Sequence, residues 1–419
     1  MIFISITSVH HSRAGQRIAT GASIAGGMKG ISFLTATSGE EMARSATRGA
    51  HREIVSATRA GGVTLVIGAG ISMPRGIPDW NSLAKTVWHR AFPEKPDPWS
   101  RQAGAASAGS PEEIPQLLPI IFELAFQKLG EPKFLELLRS ELYKNAKAPI
   151  AEPLFGRSSE SLAVIARLLV AEQKRGAGRR ISGVITLNAD DLLEQAVSRA
   201  AGYRNQVTAG GIISVVTRST HQIVKPSMIP IYHVHGFLPS DRWKANSGHR
   251  RMLVFTDLQY WTTSATASAF ANRIVSAALS EGRCIFIGVS MKDINLLRWL
   301  ALRSLDRDRD HAELGHERLL ARLAPPDADD PFDKPVDAET LRDLVETYLN
   351  DPAATQSGVL RKNFHRHFWI RPAATDPSGF LSRFLDECRG VRPVDIDDWR
   401  GTSFRRLMTK CFPRSRNRS

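Results

Sequence analysis

Short apolar runs rich in β-branched side chains punctuate this chain from residue 63 onward. Val63 to Ile67 is the first, and similar runs fall at 182–187, 213–217, 229–235, 252–256, 283–289, His365 to Ile370 and Val391 to Ile396. Most read as continuous apolar stretches with little alternation, the pattern of strands buried on both faces of a parallel sheet. Between them the period changes to that of a helix. Leu83, Val87 and Trp88 mark a helix over 80–91, and further helices are predicted at 190–200, 257–280, 291–304, 378–388 and 402–411. Strands alternating with helices predict an α/β fold with a Rossmann-like, doubly wound, mostly parallel sheet.

One stretch breaks the alternation. From 112 to 175 only helical spacing appears: Leu117, Ile121, Leu124; Phe134, Leu137, Leu138, Leu142; Leu162, Ile165, Leu168, Leu169. The expectation is an inserted all-helical module over 99–180, preceded by a Pro- and Ala/Gly/Ser-rich loop (Pro93, Pro96, Pro98, Ala103 to Ser110). The α/β domain then comprises 46–98 and 181–412, with a basic tail at 413–419. Residues 305–335, dense in Arg, Asp and Pro, read as a loop. Residues 1–45 read as an extension: no Asp or Glu occurs before Glu40, which fits a transit peptide or a start codon set too early, with Met28 or Met42 as the start.

The first strand runs into Gly68-Ala69-Gly70. Glycines there let backbone N–H groups approach a pyrophosphate, and a following helix start favours an anion. The alternative is an ordinary strand–loop–helix connection. A dehydrogenase loop would place its third glycine at Met73 and an acidic residue about 20 positions on to hold a ribose. Neither is present, so hydride transfer is disfavoured.

Four segments, each ending a predicted strand, together resemble the sirtuin family. Gly68-Ala69-Gly70-Ile71-Ser72 followed by Gly76-Ile77-Pro78-Asp79-Trp80 is similar to the family's signature. Thr186-Leu187-Asn188-Ala189-Asp190 resembles its Thr-x-Asn-x-Asp element, His235-Gly236 the dipeptide of its catalytic histidine, and Gly288-Val289-Ser290 its ribose-contacting Gly-x-Ser. The resemblance covers 62 to about 300. It implies NAD as substrate, Asn188 and His235 as catalytic residues, and Gly68, Ala69, Gly70, Ser72, Asp79, Asp190, Gly288 and Ser290 in the nucleotide site. Asp190 would bond the nicotinamide carboxamide.

Each of these residues also has a purely structural reading. Asn188 and Asp190 precede a helix and could cap it; Ser290 and Asp293 could cap the next. His235 could pair with His233 on a metal or simply pack, although no carboxylate neighbours them in sequence.

Cysteine usage separates branches of the family. Deacylase sirtuins typically carry a four-cysteine zinc module, whereas this chain has only Cys284, Cys388 and Cys411, widely spaced. No zinc or other metal is expected, and the three thiols suit a reducing cytoplasm. Trp80 to Leu83, Asn188 to Glu194 and Gly288 to Leu296 look more like a bacterial sirtuin-like branch that hydrolyses NAD in antiphage defence. The expectation is therefore an NAD glycohydrolase held inactive until triggered by self-assembly or by an activating partner protein. The alternatives are an NAD-dependent protein deacylase and a non-catalytic nucleotide-binding scaffold.

Composition limits the remaining partners. With 42% hydrophobic and 23% charged residues in 419, the chain is of globular type. No apolar run is long enough to cross a membrane. The net charge of +14, concentrated late in Arg405, Arg406, Lys410, Arg414, Arg416 and Arg418, reads as a solvated basic tail, with nucleic-acid contact as the alternative.

Overall fold

The computed structural model describes residues 34–95, 98, 118–147, 160–203, 211–218, 227–240, 253–305, 367–399 and 402–413. The extension 1–33, the loop Ala103 to Ser110, the loop at 306–335 and the arginines of 414–418 lie outside the described residues. The chain divides into two compact units, Met1–Ala46 and Thr47–Ser419; side chains are described from Thr47 onward.

Among the described residues, seven strands form one all-parallel sheet: β1 (Val63–Ile67), β2 (Ile181–Thr186), β3 (Ile213–Val216), β4 (Ile229–His233), β5 (Arg283–Ile287), β6 (His367–Pro372) and β7 (Val391–Ile396). Their order is β3-β4-β2-β1-β5-β6-β7. The helices are α1 (Leu34–Arg59), α2 (Trp80–Ala91), α3 (Leu118–Leu129), α4 (Glu131–Tyr143), α5 (Ser161–Gln173), α6 (Leu192–Ala200), α7 (Asp257–Ala265), α8 (Phe270–Glu281), α9 (294–305), α10 (Phe380–Arg389) and α11 (Thr402–Cys411). The expected α/β, doubly wound architecture is present.

The apolar runs are continuous because both faces of the sheet are covered. Leu65 and Ile67 point into one core, lined by residues of α1 to α6 and α11, while Val66 points into the other, lined by α8, α9 and α10. The same alternation separates Ile285 from Phe286 and Ile370 from Trp369. Helix α5 is buried along most of its length and packs on α6 and α11, within the layer that covers the sheet.

Two expectations change. The run at 252–256 is not a strand over its described residues 253–256. Leu253, Val254 and Phe255 are buried, but the N–H groups of Phe255 and Thr256 donate to Oε1 of Gln259. Thr256 and Gln259 form a capping box that starts α7, and this local arrangement takes the donors a sheet would need. The single helix expected over 257–280 is two. Asn272 donates to the carbonyls of Thr263 and Thr266, both at 2.7 Å, which captures the end of α7 and lets α8 begin afresh.

Strand β1 is central. The chain leaves it for β2 on one side, and β5 returns on the other. The carboxyl end of β1 is therefore the topological switch point, where open parallel sheets bind their ligands.

Candidate active site

At that switch point two loops interlock. Gly68 donates to the carbonyl of Ile287 at 3.0 Å and Gly70 to that of Gly288 at 2.9 Å. A Cβ on Gly68 would stand 2.5 Å from the Gly288 oxygen, and one on Gly70 would stand 2.9 Å from Gly288 Cα. Gly288 itself has φ +67, and a Cβ there would meet Ile71 N at 2.8 Å. These glycines are required because backbone packs on backbone across β1 and β5. The N–H groups that sequence reasoning offered to a pyrophosphate are thus engaged in part by the protein. Those of Gly68 and Gly70 hold the β5 end, and those of Ile71 and Ser72 close 3₁₀ turns onto Gly68 and Ala69.

Ser72, Asn188 and Asp190 are brought together. The Ser72 hydroxyl donates to Oδ1 of Asp190 at 3.1 Å, and Asn188 Nδ2 donates to Ser72 Oγ at 3.3 Å and to the Gly68 carbonyl at 3.2 Å. All three side chains are buried. The Asn188 amide is fixed in orientation, because the Gly68 carbonyl can only accept. Oδ1 of Asp190 also accepts from Leu192 N at 3.0 Å, an Asx-type turn ahead of α6, whose N-cap is Asp191 with no side-chain cap bond. Burial raises the Asp190 carboxyl to about 7; the Leu192 N–H and Ser72 hydroxyl oppose the shift, while Asp191 and Glu194 add to it.

The residues following Asn188 build its support. His233, on β4, approaches the Asn188 carbonyl with Nδ1 at 3.1 Å and Oε1 of Glu194 with Nε2 at 2.7 Å. His233 therefore has a carboxylate neighbour after all, 39 residues away in sequence. It does not form a metal pair with His235. Asp191 receives Tyr143 Oη at 2.9 Å, Gln195 Nε2 at 2.9 Å, and both the N–H and hydroxyl of Ser240. Those bonds tie α4 and the loop after β4 to the start of α6. Sequence reasoning missed both clusters, although the close spacing of Asp191, Glu194 and Gln195 along one helix start was a usable signal.

His235 follows the end of β4 and is 2% exposed. Its ring hydrogen-bonds the backbone of Leu187, the residue before Asn188, and lies 5.7 Å from the Tyr260 ring and 6.5 Å from the Trp299 ring. Nε2 is buried and unpartnered among the described residues. Burial lowers the imidazole pKa, against the opposing pull of Asp293 and of the Leu187 backbone, so the ring is neutral near pH 7. Asp293 also accepts from Tyr260 Oη at 3.4 Å and caps α9 through Leu296 N at 2.8 Å. Tyr260 gave no sequence signal.

Two of the expected nucleotide-site residues are engaged locally. Asp79 accepts from Ser82 N at 2.8 Å and from its hydroxyl at 3.0 Å, as the N-cap of α2. Ser290 is exposed and accepts from Lys292 N at 3.3 Å. The residue after it, Met291, is fully buried with φ 57, a strained conformation for a side chain of that size.

Residues 182–350 match the SIR2-like domain. This supports a sirtuin-like family, and such a domain implies NAD binding. The SIR2-like stretch contains Asn188, Asp190, His235, Gly288 and Ser290, and begins beyond the Gly68 loop. No curated protein matches the chain. Among the described residues, no group of three or more His, Cys, Asp or Glu is placed to hold a metal, and no helix is long and apolar enough to cross a membrane. Cys284 and Cys411 are buried, which pushes both thiols up to about 12; Cys388 is exposed.

Proposed function

We propose that the chain is an NAD glycohydrolase, converting NAD and water to ADP-ribose and nicotinamide, and that it acts as a triggered effector depleting NAD in bacterial antiphage defence. The observation that carries this reading is the buried, unpartnered Nε2 of His235 beside the Asn188 segment, where the neighbouring strands β2 and β4 end. A buried acceptor without a partner is costly unless a ligand supplies the donor.

The chemistry needs little more. Nicotinamide leaves NAD as a neutral molecule from a cationic centre, so no general acid is required. Water forms the new bond to the anomeric carbon through an oxocarbenium-like state. The breaking C–N bond returns its electron pair to nicotinamide, and the water proton goes to a base. Asn188, with Nδ2 held by Gly68 and Ser72, presents Oδ1 to orient the water. Neutral His235 takes the proton at Nε2. Asp190, poised near neutrality by its burial, suits a hydrogen bond to the nicotinamide carboxamide. Ser72, Gly68, Ala69, Gly70, Gly288 and Ser290 would surround the remainder of the dinucleotide, and Asp79 would act through the start of α2.

Hydrolysis is favoured over protein deacylation because three cysteines cannot build a four-cysteine zinc module. We place the trigger in self-assembly or a partner protein, and the enzyme in the reducing cytoplasm. The test follows NAD loss over time with purified chain, alone and with the products of neighbouring genes. Asn188→Ala and His235→Ala should each cut the rate about 10²–10⁴-fold. No turnover under any condition, or unchanged turnover in both variants, would refute the reading. Release of O-acetyl-ADP-ribose from an acetylated peptide would indicate deacylation instead.

A further inference from the structure

The amino edge of the sheet, opposite the candidate active site, gathers three basic segments. Thr58, near the end of α1, donates its hydroxyl to the Cys411 carbonyl at 2.9 Å. Arg180, which leads into β2, donates to that carbonyl at 3.3 Å and to Pro413 at 3.2 Å; Arg175 also donates to Pro413. The end of α1, the loop after α5 and the end of α11 therefore meet at Cys411 to Pro413. Cations at the carboxyl end of α11 are favourable in themselves.

The charged side chains that these segments expose are all positive among the described residues. Arg59, Lys174, Arg406 and Lys410 are exposed. Arg406 and Lys410, four apart, share the solvent face of α11, because Phe404, Leu407, Met408 and Cys411 are buried. Through 56–62, 172–180 and 405–419 the single carboxylate is Glu172. It is 1% exposed and already paired with Arg175 and Arg180 at 3.0 and 2.6 Å. Past Pro413 the sequence adds Arg414, Arg416 and Arg418 without an acid. A large share of the +14 net charge thus lies on these three segments, whose own single carboxylate is buried.

We propose that this edge binds duplex nucleic acid through its phosphate backbone, without reading base sequence. Arg59 and Arg406 present planar forks that match phosphate oxygens, and Lys174 and Lys410 add point charges beside them. A lipid surface is a poorer fit, because the apolar face of α11 is consumed by the core. The exposed large apolar side chains Leu258, Trp261, Ile294 and Phe380 belong to other elements. Single strands are a poorer fit too, because none of the exposed large hydrophobic side chains lies on these segments to stack bases. The patch stands apart from the candidate active site, so the proposal does not depend on the reaction there.

The experiment measures fluorescence anisotropy of labelled 20-base-pair DNA and RNA duplexes and a 20-nucleotide single strand. The full chain is compared with the Arg59→Gln, Lys174→Gln, Arg406→Gln, Lys410→Gln quadruple variant, from 50 to 200 mM salt. Wild-type chain should bind duplexes of unrelated sequence alike, losing on the order of 10²-fold or more across that range. The variant, shown folded by circular dichroism and an unchanged melting temperature, should bind at least tenfold more weakly with a shallower salt slope. If the quadruple variant does not fold, each single variant should still weaken binding and reduce the slope by about 1. No binding at 50 mM salt, equal binding and slope in the variants, preference for the single strand, or co-sedimentation with phosphatidylserine vesicles but not DNA would each overturn the proposal.

Discussion

The hydroxyl of Ser72 donates to Oδ1 of Asp190 at 3.1 Å, across 118 residues of sequence. That bond joins the loop after β1 to the loop after β2, and Asn188 completes it by donating to Ser72 and Gly68. Two segments that each look like ordinary helix entries are thereby one polar network at the carboxyl edge of the sheet.

Asp190 should carry a stability cost that depends on pH. Its carboxyl is raised from 3.8 to about 7, so the folded state holds a proton the unfolded chain has already lost between those values. Stability contributed by this site is therefore greatest below about pH 4 and declines as pH rises to 7. Asp190→Asn should be more stable than the parent at pH 8 by about 1–3 kcal/mol, with the advantage fading toward pH 5. Urea melts at the two pH values measure it; a pH-independent difference would contradict the assignment.

Asp293 should tune the protonation of His235. Its charge opposes the downward shift that burial imposes. In Asp293→Asn the imidazole pKa falls further, so the acid limb of the pH–rate profile should move to lower pH while the neutral-pH rate changes less. Tyr260→Phe removes the 3.4 Å bond to Asp293 and should move the limb slightly the other way, because an undistracted carboxylate favours the imidazolium. Profiles of NAD hydrolysis and NMR titration of the ring check both.

The interlocked glycines should tolerate no side chain. Gly68→Ala places Cβ 2.5 Å from the Gly288 carbonyl oxygen, an atom of backbone that cannot swing aside. A loss of about 2–4 kcal/mol is expected, read as a lower melting temperature. Gly178→Ala is the control: its Cβ meets nothing within 4 Å and φ is not left-handed, so its effect should stay within about 0.5 kcal/mol.

Asp191 should matter to folding rather than to chemistry. Its removal takes an acceptor from Tyr143, Gln195 and Ser240 at once, leaving Tyr143 the Leu238 carbonyl and Gln195 the Ser240 hydroxyl. Asp191→Ala is expected to cost about 2–4 kcal/mol, while Tyr143→Phe, which leaves the Asp191 carboxylate its other donors but removes the partner of the Asp191 N–H and of the Leu238 carbonyl, should cost about 1–2. Chemical denaturation of both variants tests the order.

The sheet was legible in the chain because its strands are buried on both faces. Continuous runs such as Val63 to Ile67 and Cys284 to Ile287 carry the signal without tertiary help, and the glycine, asparagine and histidine positions at their ends marked the carboxyl edge. Where local chemistry competed, the same logic failed: Leu253 to Phe255 is as apolar as a strand, yet Gln259 takes the donors a ladder would use. Helix α1 was not read, because its buried face rests on Ala50, Ile54 and Thr58 among many polar residues. Sequence by itself determined the parallel sheet and which residues stand at its carboxyl edge, since burial and backbone hydrogen bonding act on neighbouring positions. Only the tertiary structure decided that Gly68 and Gly70 serve the β5 loop, that His233 belongs to Glu194, and that His235 answers to Asp293 and Tyr260. Those pairings join strands and helices far apart in the chain, and desolvation by the assembled core is what gives their charges and hydrogen bonds their strength.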